Sequence, residues 1–145
     1  MEQKKFMDIS RIKEDTELTV ANTGGFHVGD HIVIQEKVDG SNSAIAYDKE
    51  MNKLVAFSRR QILDYNNTLN GFWNWVQTLA VEPFSKYQNY VFFGEWLTSH
   101  TIKYIQDAYK KFYFYDVYDK ENECYLPQSE VKKLADELNL RYVQT

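Results

Sequence analysis

The stretch from residue 112 to residue 118 reads F-Y-F-Y-D-V-Y, and it constrains the fold more than any other part of the chain. All but one of its residues are aromatic or β-branched, which are the types enriched in strands. Successive side chains of a strand point to opposite faces of a sheet. Aromatic residues at both odd and even positions therefore predict a central or near-central strand that is packed on both faces.

Other runs predict the strands around it. Residues 31–37 predict one strand, and residues 43–59 predict a hairpin whose strands are joined by the polar segment 48–52. Residues 90–97 predict a further strand, although Glu95 interrupts its apolar run. Leu140 opens a last β-prone run near the end of the sequence.

Two stretches have the helical period instead. Between residues 64 and 80, apolar side chains recur at spacings of three and four, which predicts a helix. A second helix is predicted after Pro127, with Ser129 as its N-cap. Its apolar stripe would be Val131, Leu134, Ala135 and Leu138. Residues 102–110 predict a short helix or a structured loop. Together these elements predict an α+β fold with mainly antiparallel sheets and flanking helices.

The first part of the chain is less informative. Residues 1–20 predict a short turn or helix that leads into a strand. The Gly24-Gly25 pair predicts a structural turn, because the spacing of a phosphate-binding P-loop is absent and no Gly-Lys-Ser/Thr follows.

Length and charge set further limits. A chain of 145 residues predicts a single domain, residues 1–145, with a hydrophobic core of its own. Its net charge of −4 argues against a general polyanion binder, so any contact with nucleic acid requires a local basic patch. The single cysteine excludes an internal disulfide. Without an apolar run of membrane-spanning length, a soluble cytoplasmic protein is predicted, with no membrane partner.

Residues 36–42 read E-K-V-D-G-S-N and contain the first candidate site. Lys37 lies at the end of a predicted strand, and Asp39 and Gly40 form a turn directly after it. A lysine that is desolvated, or that faces another cation, can lose its proton and become a nucleophile. The alternative is an ordinary turn beside a solvated lysine, and this segment alone leaves both interpretations open.

Two further candidates follow along the chain. Arg59 and Arg60 end a predicted strand, where paired arginines either form a solvated edge or bind a phosphate or ribose. Glu95 either faces water at a sheet edge or points into a polar cleft, since a buried carboxylate requires a partner. The three histidines follow no zinc-binding pattern, and no metal-ligating residue is predicted.

Four stretches, E-K-V-D-G-S-N at 36–42, S-R-R at 58–60, F-G-E at 93–95 and F-Y-F-Y-D at 112–116, follow one another in this order. In that order they resemble the motifs of the covalent nucleotidyltransferases, the superfamily of polynucleotide ligases and mRNA capping enzymes. The form of the first motif most resembles the ATP-dependent RNA ligases that seal nicked or broken RNA, which are common in phages.

The resemblance implies a role for each matching residue. Lys37 would attack the α-phosphate of ATP to form lysyl-AMP, with Glu36 beside the adenine edge. Asp39 and Gly40 complete the motif, and Asn42 would lie near the AMP and the reacting RNA end. Arg59, or its neighbour Arg60, would contact the ribose or a 5′-phosphate, while Glu95 would bind the ribose hydroxyls. Tyr115 stands where the family usually has the phenylalanine that stacks on adenine.

The resemblance also implies ATP and Mg²⁺ or Mn²⁺ as cofactors, RNA ends as partners, and a role in RNA repair. Two further motifs of the family, an E-G strand and a K-x-K strand, do not occur in this sequence. We therefore expect an N-terminal portion of the nucleotidyltransferase domain that ligates little by itself, with a C-terminal segment or partner supplying the missing motifs. A DNA ligase, a capping-type enzyme, a non-catalytic nucleotide or RNA-end binding module, and a plain α+β domain with accidental motifs remain as alternatives.

Overall fold

A computed structural model describes residues 1–9 and 28–145 of the protein. In this part of the chain one sheet is formed by β1 (Ser41–Asp48), β2 (Lys53–Ser58), β3 (Tyr90–Trp96), β4 (Phe112–Asp119), β5 (Cys124–Tyr125) and β6 (Arg141–Tyr142). The helices of the described residues are α1 (Phe72–Gln77), α2 (Gln128–Leu138) and two 3-10 helices, Glu82–Tyr87 and Gln106–Ala108. None of these helices is long and apolar enough to cross a membrane.

The strand order is β2-β1-β3-β4-β5, and β6 also pairs with β4. Every pairing is antiparallel except the one between β4 and β6. β4 has β3 along one edge and both β5 and β6 along the other, so the prediction that residues 112–118 form a near-central strand is confirmed. The hairpin, the strand near residue 90 and the α+β class are confirmed as well.

The alternation of side chains along the strands divides the core into two clusters. On the first face, which we call the helix face, Ile45, Leu54, Phe92 and Phe114 pack together with residues of both α-helices. We call the second face the tyrosine face. Its buried residues are Ala44, Ala46, Val55, Phe57, Val91 and Phe93, and the aromatic rings packed against them belong to Phe6, Tyr115, Tyr118 and Tyr125.

A β-bulge in β4 decides which residues face which side. Phe93 lies opposite Asp116 and Gly94 lies opposite Phe114, so Tyr115 is an extra residue without a partner in β3. The extra residue resets the alternation, and Phe114 and Val117 both belong to the helix-face cluster. Tyr115 faces the tyrosine face by ordinary alternation from Phe114, and the bulge places Val117, rather than Asp116, on the helix face.

The predicted strand at residues 31–37 is wrong. These residues have no regular secondary structure, and Ile32, Val33 and Ile34 are 61%, 52% and 74% exposed. A β-prone segment becomes a strand only when another strand pairs with its N–H and C=O groups. In this segment the Glu36 N–H donates a hydrogen bond to the Gln144 carbonyl at 2.9 Å, which does not build a ladder with a neighbouring strand.

Two helix predictions need correction. The helix predicted over residues 64–80 is only the six-residue α1, because Leu69, Asn70 and Gly71 adopt positive φ angles that interrupt a right-handed helix before it. Ser129 is not the N-cap of α2. The capping position is Pro127, without a side-chain cap, and Ser129 lies inside the first turn.

The apolar stripe of α2 is confirmed, since Val131, Leu134, Ala135 and Leu138 are all buried. β6 begins at Arg141, as the β-prone run after Leu140 indicated. The predictions for most of residues 1–20 and for the Gly24-Gly25 turn lie outside the described residues.

Candidate functional site

The loop that carries Lys37 is pressed against the end of β3 at Gly40. A Cβ atom at Gly40 would lie 2.5 Å from the Trp96 carbonyl oxygen and 3.0 Å from Cγ of Glu95, so only glycine fits there. The backbone N–H of Gly40 donates a hydrogen bond to the Glu95 carboxylate. The D-G step of the first motif and the glutamate of the third therefore meet directly.

Glu95 lies on the tyrosine face, paired across the strands with Asn42 of β1. Burial raises the pKa of its carboxyl group to about 7, although the Gly40 N–H and the nearby positive charges of Lys37 and His100 oppose the shift. Near neutral pH, Glu95 therefore exists in both protonation states, and its carboxyl group can accept or donate a hydrogen bond. The edge position with Glu95 facing water, one of the two sequence interpretations, is wrong because the side chain is largely buried.

Tyr115 completes this part of the face. The amide Nδ2 of Asn42 donates a hydrogen bond to the Tyr115 hydroxyl, at 2.7 Å. Burial raises the pKa of the Tyr115 hydroxyl above its usual value, and the charge of Glu95 raises it further. The phenol therefore stays neutral at physiological pH, and its uncharged hydroxyl accepts the hydrogen bond from Asn42.

Asp39 is held by the loop that follows β3. Its carboxylate Oδ2 accepts a hydrogen bond from the Ile102 N–H at 2.8 Å, and its own N–H donates to the Tyr104 hydroxyl at 3.0 Å. These two bonds tie both the side chain and the backbone of the turn to residues beyond β3. Lys37, two residues earlier, is exposed beside this braced turn.

The residues before Lys37 contact the other end of the chain. Gln35 Nε2 donates to Oε1 of Gln128 at 2.9 Å and to the Tyr142 hydroxyl at 2.8 Å. Gln128 in turn donates to Oδ1 of Asp116 at 2.8 Å. Burial raises the pKa of Asp116 to about 6, and the hydrogen bond from Gln128 limits the shift. Glu36 itself is exposed.

The arginine pair lies at the end of β2. Arg59 forms a salt bridge with Asp8 at 3.5 Å, and Arg60 is exposed beside it. The charge of Arg59 also acts on Tyr115. Phe6 packs edge-on against Tyr115, with the ring centroids 5.4 Å apart. The N-terminal residues thus lie on the same face as Glu95, Asn42 and Tyr115.

The structure brings six of the nine predicted site residues into one cluster around the end of β3: Lys37, Asp39, Gly40, Asn42, Glu95 and Tyr115. Arg59 is close to this cluster, whereas Glu36 and Arg60 are exposed at its margin. The cluster combines a primary amine, a carboxyl group, an amide and an aromatic ring. Such groups can bind a nucleoside and attack an electrophile bound beside the amine.

Sequence reasoning missed several residues that hold the cluster. Tyr104 and Gln128 act through side-chain hydrogen bonds that join segments far apart in the chain. No motif or periodic pattern marks them, because their partners are near only in the folded protein. No motif marks Phe6 either, because its ring partners Phe93 and Tyr115 are distant in the sequence.

A family model described as RNA ligase matches residues 30–145. The chain belongs to the RNA ligase family. The match covers the described segment from the loop before Lys37 to the last residue, and therefore all four motifs. No protein among the curated ones matches the sequence.

Solved RNA ligases have a similar fold. An archaeal ATP-dependent RNA ligase matches with a TM-score of 0.59 and 22% identity, over 76% of this chain and 29% of that chain. An apo mutant of a Naegleria gruberi RNA ligase matches with a TM-score of 0.56 and 20% identity, over 76% of this chain and 34% of that chain. A mutant of Naegleria gruberi RNA ligase with ATP and Mn matches with a TM-score of 0.55 and 19% identity, over the same shares of the two chains. This RNA ligase family chain therefore spans about a third of the length of these structures.

Proposed function

We propose that this chain carries the adenylyltransferase site of an ATP-dependent RNA ligase, with Lys37 as the nucleophile. In this proposal residues 1–145 act as one domain and form part of the nucleotidyltransferase domain. The observation that supports it best is the contact between two motifs. The turn after Lys37 packs so closely on β3 that the Gly40 N–H donates to Glu95.

The proposed reaction begins at the Lys37 amine. Its nitrogen attacks the α-phosphorus of ATP, a P–N bond forms, and the bond from phosphorus to the pyrophosphate oxygen breaks. The amine loses a proton to solvent as the phosphoamide forms. The whole enzyme would then pass AMP to an RNA 5′-phosphate, and a 3′-hydroxyl would displace AMP and seal the strand. Both later steps are proposed for the complete protein, because the chain spans only part of its structural neighbours.

The neighbouring residues would position the nucleotide. Glu95 would accept hydrogen bonds from the ribose hydroxyls, and the ring of Tyr115 would stack on adenine. Asn42, which already donates to the Tyr115 hydroxyl, would fix the ring and lie near the AMP. Arg59 would exchange its exposed pair with Asp8 for a ribose or phosphate contact, because a guanidinium group is permanently charged and can donate two hydrogen bonds to one partner. Glu36 would lie beside the adenine edge, with Arg60 as the alternative to Arg59.

Mg²⁺ or Mn²⁺ is proposed as the accompanying metal, since a structural neighbour was solved with ATP and Mn. Among residues 1–9 and 28–145, no group of three or more histidine, cysteine or acidic side chains is arranged to hold a metal ion. The described residues thus do not form a complete metal site by themselves. No step of the proposed reaction is assigned to the metal for that reason.

The test is covalent labelling. The purified chain is incubated with α-labelled ATP and Mg²⁺ or Mn²⁺ and run on a denaturing gel, in parallel with Lys37→Ala and Lys49→Ala. Lys49 is a matched control, because it is exposed in the turn between β1 and β2. Because the chain spans only part of its structural neighbours, we expect slow labelling of the wild type and of Lys49→Ala but none of Lys37→Ala. Label that survives Lys37→Ala would remove Lys37 as the nucleophile.

Competition, binding and sealing assays on the same protein separate the alternatives. If GTP competes with labelling better than ATP does, a capping-type reaction is favoured. If the chain binds AMP tightly but is never labelled, it is a binding module with a ligase fold. Sealing assays with nicked RNA and nicked DNA distinguish the two classes of ligase.

A further inference from the structure

An open pocket of about 680 Å³ lies between the start of α1 and the loop that joins β3 to β4. Its lining is polar and aromatic: Asn70, Thr98, Ser99, Lys103, Tyr104 and Lys110, together with Gln106 and Tyr109. None of these residues belongs to the four motifs. The proposed adenylyl transfer therefore leaves the lysines of this pocket without an assigned role.

The loop around this pocket is basic in an acidic chain. Residues 98–111 contain Lys103, Lys110 and Lys111 against the single acidic residue Asp107, while the whole chain has a net charge of −4. Lys103 donates to Ser99 Oγ at 3.3 Å and to the His100 carbonyl at 3.2 Å. Lys110 donates to the Asn70 carbonyl at 2.8 Å.

All these acceptors are neutral. The three salt bridges between described residues involve neither Lys103 nor Lys110. No carboxylate of residues 1–9 or 28–145 therefore forms a salt bridge with either ammonium group, and the pocket is suited to an anionic ligand. This is the kind of local basic patch that an acidic chain requires for contact with nucleic acid.

The pocket shares a wall with the candidate site. Tyr104 lines the pocket, and its hydroxyl accepts a hydrogen bond from the Asp39 N–H. His100 belongs to the same loop, and its charge acts on Glu95. A polymer bound in the pocket would thus lie next to the turn that follows Lys37.

The pocket also offers surfaces for nucleotides rather than only for phosphate. The rings of Tyr104 and Tyr109 pack edge to face, with their centroids 6.2 Å apart. Both residues are only partly buried, so ring surface remains exposed on which a base can stack. The hydroxyl of Thr98, a buried residue of the wall, has no hydrogen-bond partner among the described residues.

We propose that this pocket binds the sugar–phosphate backbone of the RNA strand whose end is joined at Lys37. The inference rests on the proposed function. Lys103 and Lys110 neutralise phosphates of the strand, and Tyr104 or Tyr109 stacks on a base next to them. RNA is favoured over a small anion because the two charges lie in a wide, open pocket whose wall also carries partly exposed aromatic rings.

The test measures RNA binding by fluorescence anisotropy, using a labelled 5′-phosphorylated 12-nucleotide RNA over a range of salt concentrations. The variants are Lys103→Gln/Lys110→Gln, Lys103→Arg/Lys110→Arg and the control Lys49→Gln/Lys132→Gln. Glutamine keeps a hydrogen-bond donor, so the contact of Lys110 with Asn70 can persist while the charge is lost. Thermal melts check that every variant is folded.

We expect the Lys103→Gln/Lys110→Gln variant to bind RNA about 10-fold more weakly. The slope of the logarithm of its association constant against the logarithm of the salt concentration should be less steep by about 1.4, the value for two phosphate contacts on a single strand. The arginine variant and the control should bind like the wild type. Equal affinity of the glutamine variant and the wild type would overturn the proposal. Pyrophosphate binding is measured on the same variants. Its loss without any loss of RNA binding would also overturn the proposal, because it would assign the pocket to a small anion.

Labelling with α-labelled ATP is measured on the same variants. The glutamine variant should form as much enzyme–AMP as the wild type, because the pocket lies outside the nucleotide site. If the wild type binds RNA through this pocket but is never labelled, the proposed function fails and the RNA site stands. If labelling depends on Lys37 but RNA binding ignores Lys103 and Lys110, only the RNA site fails.

Discussion

The two faces of the sheet are built from the same strands but have different tasks. The helix face is a continuous apolar layer, in which Phe92, Phe114 and Phe72 are fully buried between the sheet and the helices. The tyrosine face is covered mainly by rings that carry a hydroxyl group and by Phe6 from the N-terminal residues. It also holds Glu95, a carboxyl group whose pKa is raised by burial.

This difference shows that the helix face contributes most of the stability, whereas the tyrosine face carries the candidate reactive groups. Burial of apolar area on the helix face favours folding without directional requirements. Polar groups on the tyrosine face need partners, and the structure supplies them through Asn42 and Gly40. The tyrosine face is thus expected to tolerate small losses of packing better than losses of hydrogen-bond partners.

The largest expected effect separates the two faces directly. Phe92→Ala removes a ring that is wholly buried on the helix face, and it should lower the free energy of unfolding by about 3–5 kcal/mol. Phe6→Ala removes a partly buried ring from the tyrosine face and should cost about 1 kcal/mol. Urea unfolding followed by circular dichroism measures both. Equal losses for the two variants would contradict the division of roles.

Gly40→Ala should have the next largest effect, because its Cβ would lie 2.5 Å from the Trp96 carbonyl oxygen. Moving the turn away from β3 should cost about 2 kcal/mol and slow the formation of enzyme–AMP. Gly71→Ala is the matched control. The nearest atom to its Cβ is 4.0 Å away, so only the strain of φ +94° remains, about 1 kcal/mol, and labelling should not change. If Gly40→Ala formed enzyme–AMP at the wild-type rate, the position of the turn would not matter for the reaction.

Glu95→Gln should change the pH dependence of stability. The folded-state pKa of about 7 lies above the ordinary value of 4.5, so the protonated form favours folding. This contribution is fully present below pH 4.5 and is lost as the pH rises through 7. Glutamine resembles the protonated form at every pH. The variant should therefore melt at a higher temperature than the wild type at pH 8 and at nearly the same temperature at pH 4.5.

Thermal melts of both proteins across this range test the prediction. Asp116→Asn provides a comparison, because the pKa of Asp116 is raised to about 6. The pH range over which Asp116 loses its contribution to stability should therefore lie about one unit lower than that of Glu95. A difference between Glu95→Gln and the wild type that does not vary with pH would show that Glu95 does not titrate as inferred.

The smallest effect is expected at Asp8. Its salt bridge with Arg59 joins two side chains that are 100% and 62% exposed, and such pairs add little to stability because solvent screens them. Asp8→Ala should leave the melting temperature unchanged at 0.15 M salt. A clear fall in that temperature would mean that the N-terminal residues are held on the tyrosine face by charge as well as by the packing of Phe6.

The sequence by itself determined the elements whose patterns are local. The alternation in residues 43–59, the β-prone run 112–118 and the stripe of α2 each gave the correct element, because both partners of a tight hairpin and all residues of a helix face are close in the chain. The order of the four motifs likewise indicated the RNA ligase family, which the family model bears out.

Only the tertiary structure decided the rest. Residues 31–37 have the composition of a strand, but a strand requires a pairing edge that composition cannot specify. The bulge at Tyr115 reverses the alternation that the run 112–118 suggests, and it depends on how β4 aligns with β3. The bond from Gly40 to Glu95 and the brace from Tyr104 to Asp39 join residues more than fifty positions apart. Contacts of that kind arise from the packing of the whole chain, so no local pattern records them.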